Sequence, residues 1–203
     1  MSNKKLLTNF QPLELNAQTI KESRELNNGK IVLKGIMQRA DAVNQNGRIY
    51  PRRILEREME NYQKFINERR ALGELDHPSA SVINLQNVSH LITEARWDGD
   101  SVIGSIELLD TPMGKIAQSL VESGVKLGIS SRGVGSTSQQ GDYDMVEDDF
   151  MLLCYDLVSE PSTSGAFMLR EGRLANFDVH DCFNRADLVD RVLTDILHTL
   201  KKV

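Results

Sequence analysis

The stretch that most constrains the fold is "GVKLGISSRGVGS", residues 124–136. Val125, Leu127 and Ile129 alternate with Lys126, Gly128, Ser130 and Arg132. That is the two-residue period of a strand burying one face. Gly128, Gly133, Gly135 and two adjacent serines then stand where a strand normally carries bulk, and small residues give a sheet little to pack. A strand of this kind belongs where other groups must approach its backbone closely. The alternation sends Ser130 to the face opposite the aliphatics, with Gly128 leaving space beside it, and sends Ser131 toward them. A one-residue slip of register would exchange the two serines.

The flanking segments supply the rest of a mixed domain. "GKIVLKGIMQRADAV" (29–43) reads as a strand and "NQNGRIYP" (44–51) as a loop with an Asn-Gly turn. "RILEREMENYQKFINERR" (53–70) places Ile54, Leu55, Met59, Tyr62 and Ile66 at helical spacing. Residues 88–110 read as two strands joined at Asp98-Gly99-Asp100. Residues 111–124 read as a short helix with Met113, Ile116, Ala117, Leu120 and Val121 on its apolar side, ended by Gly124. A polar loop is expected around "TSQQGDYD", then a strand within 148–162 stopped by Pro161, and an amphipathic helix over 185–202. The expected class is α+β with a mostly antiparallel sheet. Residues 1–28, polar and irregular, read as a flexible arm.

A chain of 203 residues, 40% hydrophobic and 26% charged, suffices for one domain with a real core. The net charge of −5 and the lack of a basic stripe argue against nucleic acid as the partner. No stretch has the roughly 18 apolar residues of a membrane span, and the N-terminus does not read as a secretory signal. Two cysteines without a CxxC, Cys154 and Cys182, favour neither a disulfide scaffold nor a zinc knuckle, so a reducing compartment is expected.

If a serine of the 124–136 strand is a nucleophile, the pattern favours Ser130, and it needs a base to take its proton. Of the four histidines, His180 and His198 lie in the C-terminal segment without a motif, and His90 in "NVSHL" reads as structural. His77 lies in the turn-like "ELDHPS", where an imidazole can be presented without joining the core. A third group should orient it. Asp156 interrupts the apolar run "FMLLCYDLVSEPS", and a carboxylate there is costly to bury unless paired. A partner for a core arginine, or an edge charge, is the competing explanation of Asp156. A metal site built from Glu74, Asp76, His77 and His90 is the competing chemistry, although Pro78 breaks any helix that would set ligand spacing and there is no HExxH.

Taken in order, "VNQNGRIYPRRILE" (43–56), "ALGELDHP" (71–78), "GVKLGISSRGVGS" (124–136) and "DLVSEPSTSGA" (156–166) resemble the prohead proteases of tailed phages, of the T-even type. The resemblance spans residues 30–167. It implies a fold related to the herpesvirus capsid-maturation protease, a small, mostly antiparallel β-barrel surrounded by helices. It implies a serine endopeptidase with Ser130 as nucleophile, His77 as base and Asp156 as third member. Backbone amides near Ser130 would bind the oxyanion, the glycines letting substrate and these main-chain donors approach the nucleophile closely, with Ser131 and Arg132 as supporting candidates, Arg132 otherwise being a surface charge. It implies no cofactor or metal. The substrates would be scaffold and capsid proteins, cut inside the assembling prohead in the host cytoplasm.

Relatives of this type cut after an aliphatic residue, any residue, then glutamate. "IKE-S" (20–23) and "LRE-G" (169–172) make Glu22 and Glu171 candidate self-cleavage sites, and "ITE-A" (92–95) fits too but lies inside an expected strand. The implied organisation is an arm (1–28), a protease domain (29–170) and a C-terminal segment (171–203) that self-cleavage would release. The aliphatic stripe of the C-terminal helix fits an assembly role, a homo-oligomer included, or docking onto its own domain. A non-catalytic scaffold or core binding module on the same fold is the alternative from another class.

Overall fold

The structure is a computed structural model, and it describes residues 5–12, 29–78, 80–159 and 168–170. All of these lie within the compact unit Met1–Gly172; the second unit, Arg173–Val203, lies outside the described residues, as do the expected helix over 185–202, His180, His198 and Cys182.

Strand β1 (Lys5–Pro12) is followed by β2 (Val32–Arg39), β3 (Arg48–Ile49) and helix α1 (Arg52–Asn67). Then come β4 (Leu72–Glu74), the hairpin β5 (Val88–Asp98) and β6 (Ser101–Leu108), and helix α2 (Pro112–Glu122). β7 (Gly128–Gly135), β8 (Thr137–Gln140), β9 (Tyr143–Val146), β10 (Met151–Val158) and β11 (Met168–Arg170) complete the described elements. They form a five-stranded sheet ordered β11-β2-β6-β5-β4 and two three-stranded sheets, β1-β7-β10 and β3-β9-β8. Pairing is antiparallel except between β3 and β9. The first two sheets meet edge to edge, where Leu75, just past β4, bridges Leu157 of β10 in parallel. The class is therefore mixed and sheet-rich with two helices. The described strands form three sheets rather than one closed ring.

Local chemistry explains the elements. α1 opens behind Pro51 and buries Ile54, Leu55, Met59, Tyr62 and Ile66, all at the expected spacing. The Thr111 side chain caps α2 by accepting the Gly114 N–H at 3.0 Å, Pro112 occupies the first turn, and Gly124 (φ 78°) ends it in the left-handed region. The β5–β6 hairpin turns at Gly99 and Asp100, as its turn residues require.

Two apolar clusters result. The larger gathers Leu33, Met37, Ile92, Ile106, Ile129, Tyr155 and the C-terminal half of α1. The smaller holds Tyr50, Ile54, Leu55, Val146 and Phe150, with Tyr50 edge-on to Phe150 at 5.4 Å.

Three expectations are corrected. Part of the 1–28 arm is not irregular: Lys5–Pro12 runs as β1 along β7, its backbone partners supplied by that strand's edge rather than by any local pattern. "TSQQGDYD" is not a loop but the β8–β9 hairpin around Gly141 and Asp142; its residues are mostly polar and half-buried, and the backbone ladder that pairs them has no side-chain signature. On α2, Ile116 points to solvent, while Ala117 and Val121 are buried.

Candidate active site

The site lies at the seam between β4 and β10. β7 and β10 pair so that Ser130 stands directly opposite Asp156, which puts their side chains on one face. β4 ends beside them. Gly73 leaves it no choice of residue, because a Cβ there would fall 2.2 Å from His90 Nε2 and from the Tyr155 carbonyl oxygen.

The chain then turns sharply. Asp76 adopts a left-handed conformation (φ 69°), which aspartate tolerates better than most residues. Its N–H donates to the Leu157 carbonyl at 2.7 Å, and its own carboxylate accepts the His77 N–H at 3.0 Å. Pro78 biases His77 toward extended backbone. Together these swing the imidazole back over β10.

There His77 Nδ1 lies 2.9 Å from Asp156 Oδ2, and Nε2 lies 2.6 Å from Ser130 Oγ. With Nδ1–H donating to the carboxylate, Nε2 is left to accept the Ser130 hydroxyl. His77 keeps 23% of its side chain exposed, whereas Asp156 is fully buried. Chemically, the arrangement can pass a proton from Ser130 to His77 while a carboxylate holds the resulting imidazolium.

Behind Asp156 lies a buried polar cluster. Oδ1 accepts the Glu74 N–H at 3.0 Å, and Arg132 Nε stands 2.8 Å from Oδ2. Burial would push the Asp156 carboxyl up, but the His77 hydrogen bond, the Arg132 guanidinium and the Glu74 N–H outweigh it and hold the group below the usual carboxylate range. Arg132 also pairs with the Glu74 carboxylate and donates to the Ala80 carbonyl at 2.8 Å. Cys154, a free thiol, touches Arg132 and Asp156 at 3.3 Å each, and burial pushes its pKa up.

The structure thus brings Ser130, His77 and Asp156 together and separates them from other candidates. Ser131 is buried on the opposite face of β7, its hydroxyl without a hydrogen bond of good geometry among the described residues. Arg132 is no surface charge: it is wholly buried, and its guanidinium faces the two acids and the Ala80 carbonyl, because the i, i+2 spacing puts it on the Ser130 face. The four suggested metal ligands do not converge. His90 is fully buried, its Nε2 donating to the Tyr155 carbonyl (3.0 Å) and its Nδ1 accepting from Ser89 (2.8 Å). Burial pushes it down to about 4, so it is neutral. Glu74 gives its oxygens to Arg132 and to the Asn84 N–H.

The glycine-rich pattern has a second explanation. A Cβ on Gly133 would lie 2.4 Å from the Phe150 ring, and one on Gly135 would lie 2.8 Å from the Phe150 Cα. Those two glycines admit Phe150, not a substrate.

Sequence reasoning missed the Glu74–Arg132 pair. The available signal was the shared face of Ser130 with Arg132 and of Cys154 with Asp156, two apart on neighbouring strands.

Fold and geometry together describe a serine-hydrolase type of site on a sheet-rich domain. Residues 9–173 match the prohead core protein serine protease family, and the chain belongs to it. The "Prohead core protein protease" of Enterobacteria phage T4 is 33% identical over 147 residues, covering 68% of each chain. The solved structure of the bacteriophage T4 capsid assembly protease, gp21, is similar with a TM-score of 0.66 at 25% identity, over 78% of this chain and 99% of that one. The resemblance read from the four motifs is borne out.

Proposed function

We propose that the protein is a serine endopeptidase of capsid maturation that acts inside the assembling prohead in the host cell, on scaffold and capsid proteins. The observation that carries this reading is the continuous hydrogen-bonded path Ser130–His77–Asp156, drawn from three separate elements. His77 Nε2 takes the Ser130 proton as Oγ attacks the peptide carbonyl, then returns it to the leaving amine as the acyl-enzyme forms. Asp156 fixes the Nδ1–H tautomer and stabilises the imidazolium. The oxyanion needs donors from outside β7, whose own N–H groups beside Ser130 are committed to the ladders with β1 and β10. A non-catalytic binding module would have no need of this complete relay. The edge-to-edge seam between the two larger sheets supports a further reading of the fold as an opened-out barrel of the herpesvirus-protease kind.

The preferred cut follows glutamate, and the enzyme processes itself after Glu22 and Glu171. Glu171 directly follows β11 and precedes the boundary between the two compact units by one residue, which supports release of residues 172–203 there. Glu22 lies outside the described residues. A cut after it would leave β1 held by its ladder to β7, so the upstream strand would stay bound rather than leave. Glu94 of "ITE-A" sits within β5, in a hydrogen-bonded ladder with β6, and is protected.

The test incubates the purified full chain with peptides carrying aliphatic-x-Glu or aliphatic-x-Gln, followed by mass spectrometry of peptide and protein ends. Cleavage after glutamate that disappears in Ser130→Ala is the expected result. Hydrolysis that survives Ser130→Ala would remove the reading.

A further inference from the structure

Asp156 shares a buried cation with Glu74. Arg132 stands against Asp156 and simultaneously against Glu74, and all three side chains are fully buried. Had Arg132 only Asp156 as partner, the two charges would cancel and His77 would face a neutral pair. Glu74 changes that sum. Both its oxygens accept, one from Arg132 and one from the Asn84 N–H, so its geometry is that of a carboxylate. Two carboxylates around one guanidinium leave the cluster one negative charge in excess, and His77 is the group placed to balance it.

We propose that Glu74 is a positioning residue which neutralises Arg132 so that the charge of Asp156 remains available to the His77 imidazolium. The inference rests on the Ser130–His77–Asp156 reading for its catalytic meaning, but its electrostatic content concerns His77 alone.

The other groups around the cluster do not disturb the sum. Cys154 on β10 and Tyr62 on α1 are pushed up, chiefly by burial, and stay neutral. His90 on β5 is pushed down by burial and is neutral. Asp76, in the connection after β4, is exposed, and water screens it. Ser130 on β7 does not ionise in the resting protein. Among the described residues, what remains is Glu74, Asp156, Arg132 and His77. Arg132 also ties the His77 loop down through the Ala80 carbonyl, so one guanidinium fixes the position of the loop and sets the charge beneath it.

The experiment titrates His77 by NMR in full-length Ser130→Ala, which cannot cleave itself by the proposed route, alone and with changes at Glu74 and Arg132. Glu74→Gln leaves a neutral Arg132–Asp156 pair, and the His77 midpoint should fall by about 1 pH unit. Arg132→Met leaves two carboxylates, and the midpoint should rise. Glu74→Gln with Arg132→Met restores a net −1, and the midpoint should return toward that of the parent. The double variant removes a whole buried pair instead of half of one and is expected to be the best folded of the three. With Ser130 restored, the acid limb of kcat/KM should move the same way, with KM little changed. A midpoint that stays fixed in folded Glu74→Gln, or in folded Arg132→Met, overturns the proposal, as does a double variant that titrates like neither parent nor expectation. Lost protein stability without a moved midpoint is the signature of a purely structural pair and also overturns it. Absence of peptidase activity in the unmodified protein would sink the protease reading while leaving the His77 titration to decide this one.

Discussion

The two faces of β7 differ in kind, although they alternate residue by residue along eight positions. On one, Ser130 and Arg132 meet His77, Asp156 and Glu74 in a buried polar cluster whose charged groups all have partners. On the other, Gly133 and Gly135 admit Phe150, and the Ser131 hydroxyl is buried without a hydrogen bond of good geometry among the described residues. The first face spends burial on charges held in fixed positions; the second gains apolar packing from close backbone approach. Adjacent residues of nearly identical chemistry therefore have unrelated jobs, and the pleat is what separates them.

The largest effects belong to the polar face. Ser130→Ala should lower kcat by about 10⁴-fold or more, read by peptide hydrolysis, with the fold intact by circular dichroism. Asp156→Asn should cost about 10⁴-fold in kcat, because the amide favours the wrong His77 tautomer. Equal losses in Ser131→Ala would break the comparison outright.

On the apolar face the effect should be on stability. Gly133→Ala drives a methyl into the Phe150 ring and the Met151 carbonyl, and should cost about 1–3 kcal/mol in urea unfolding. An unchanged midpoint would show that Phe150 does not need the gap.

Acid tests a buried group on a neighbouring strand: His90 of β5 is held neutral, its pKa lowered from 6.5 to about 4. Between those values the unfolded chain binds a proton that the folded chain refuses. The contribution of His90 is thus complete above pH 6.5 and declines on acidification through about 4, by about 3 kcal/mol in all. Asp156, whose pKa is lowered, keeps its contribution above 3.8 and loses it only at lower pH, so the two windows separate. Urea midpoints from pH 7 to 4.5 should fall in the parent and fall much less in His90→Gln; parallel curves would contradict the assignment.

The smallest effect is expected at Ser131. Removing a buried hydroxyl that has no hydrogen bond of good geometry among the described residues should shift Tm by no more than about 3 °C and leave peptide hydrolysis near the parent rate.

Much of this was legible from local pattern. The α1 stripe, the Thr111 cap with Gly124, the Asp98–Asp100 hairpin and the face assigned to Ser130 all follow from periods and turn residues that act within a few positions. Asp156 announced itself by interrupting an apolar run, as a buried charge must be paired. β1 was not legible, because its order comes from a backbone ladder to a strand far along the chain, and the local β8–β9 hairpin was not, because its mostly polar residues carry no apolar alternation and a backbone ladder leaves no mark on side-chain composition.

The sequence by itself determined which residues have the chemistry: a hydroxyl on the strand face opposite the aliphatics, an imidazole in a turn before proline, a carboxylate in an apolar run. Only the tertiary structure decided that β4 lies beside β10, that Arg132 is buried between Glu74 and Asp156 rather than open to water, and that Phe150 claims two of the glycines. The reason is physical. A period or a cap is fixed by neighbours along the chain, whereas the partner of a buried charge is fixed by whichever distant segment the packing brings within 3 Å or so of it.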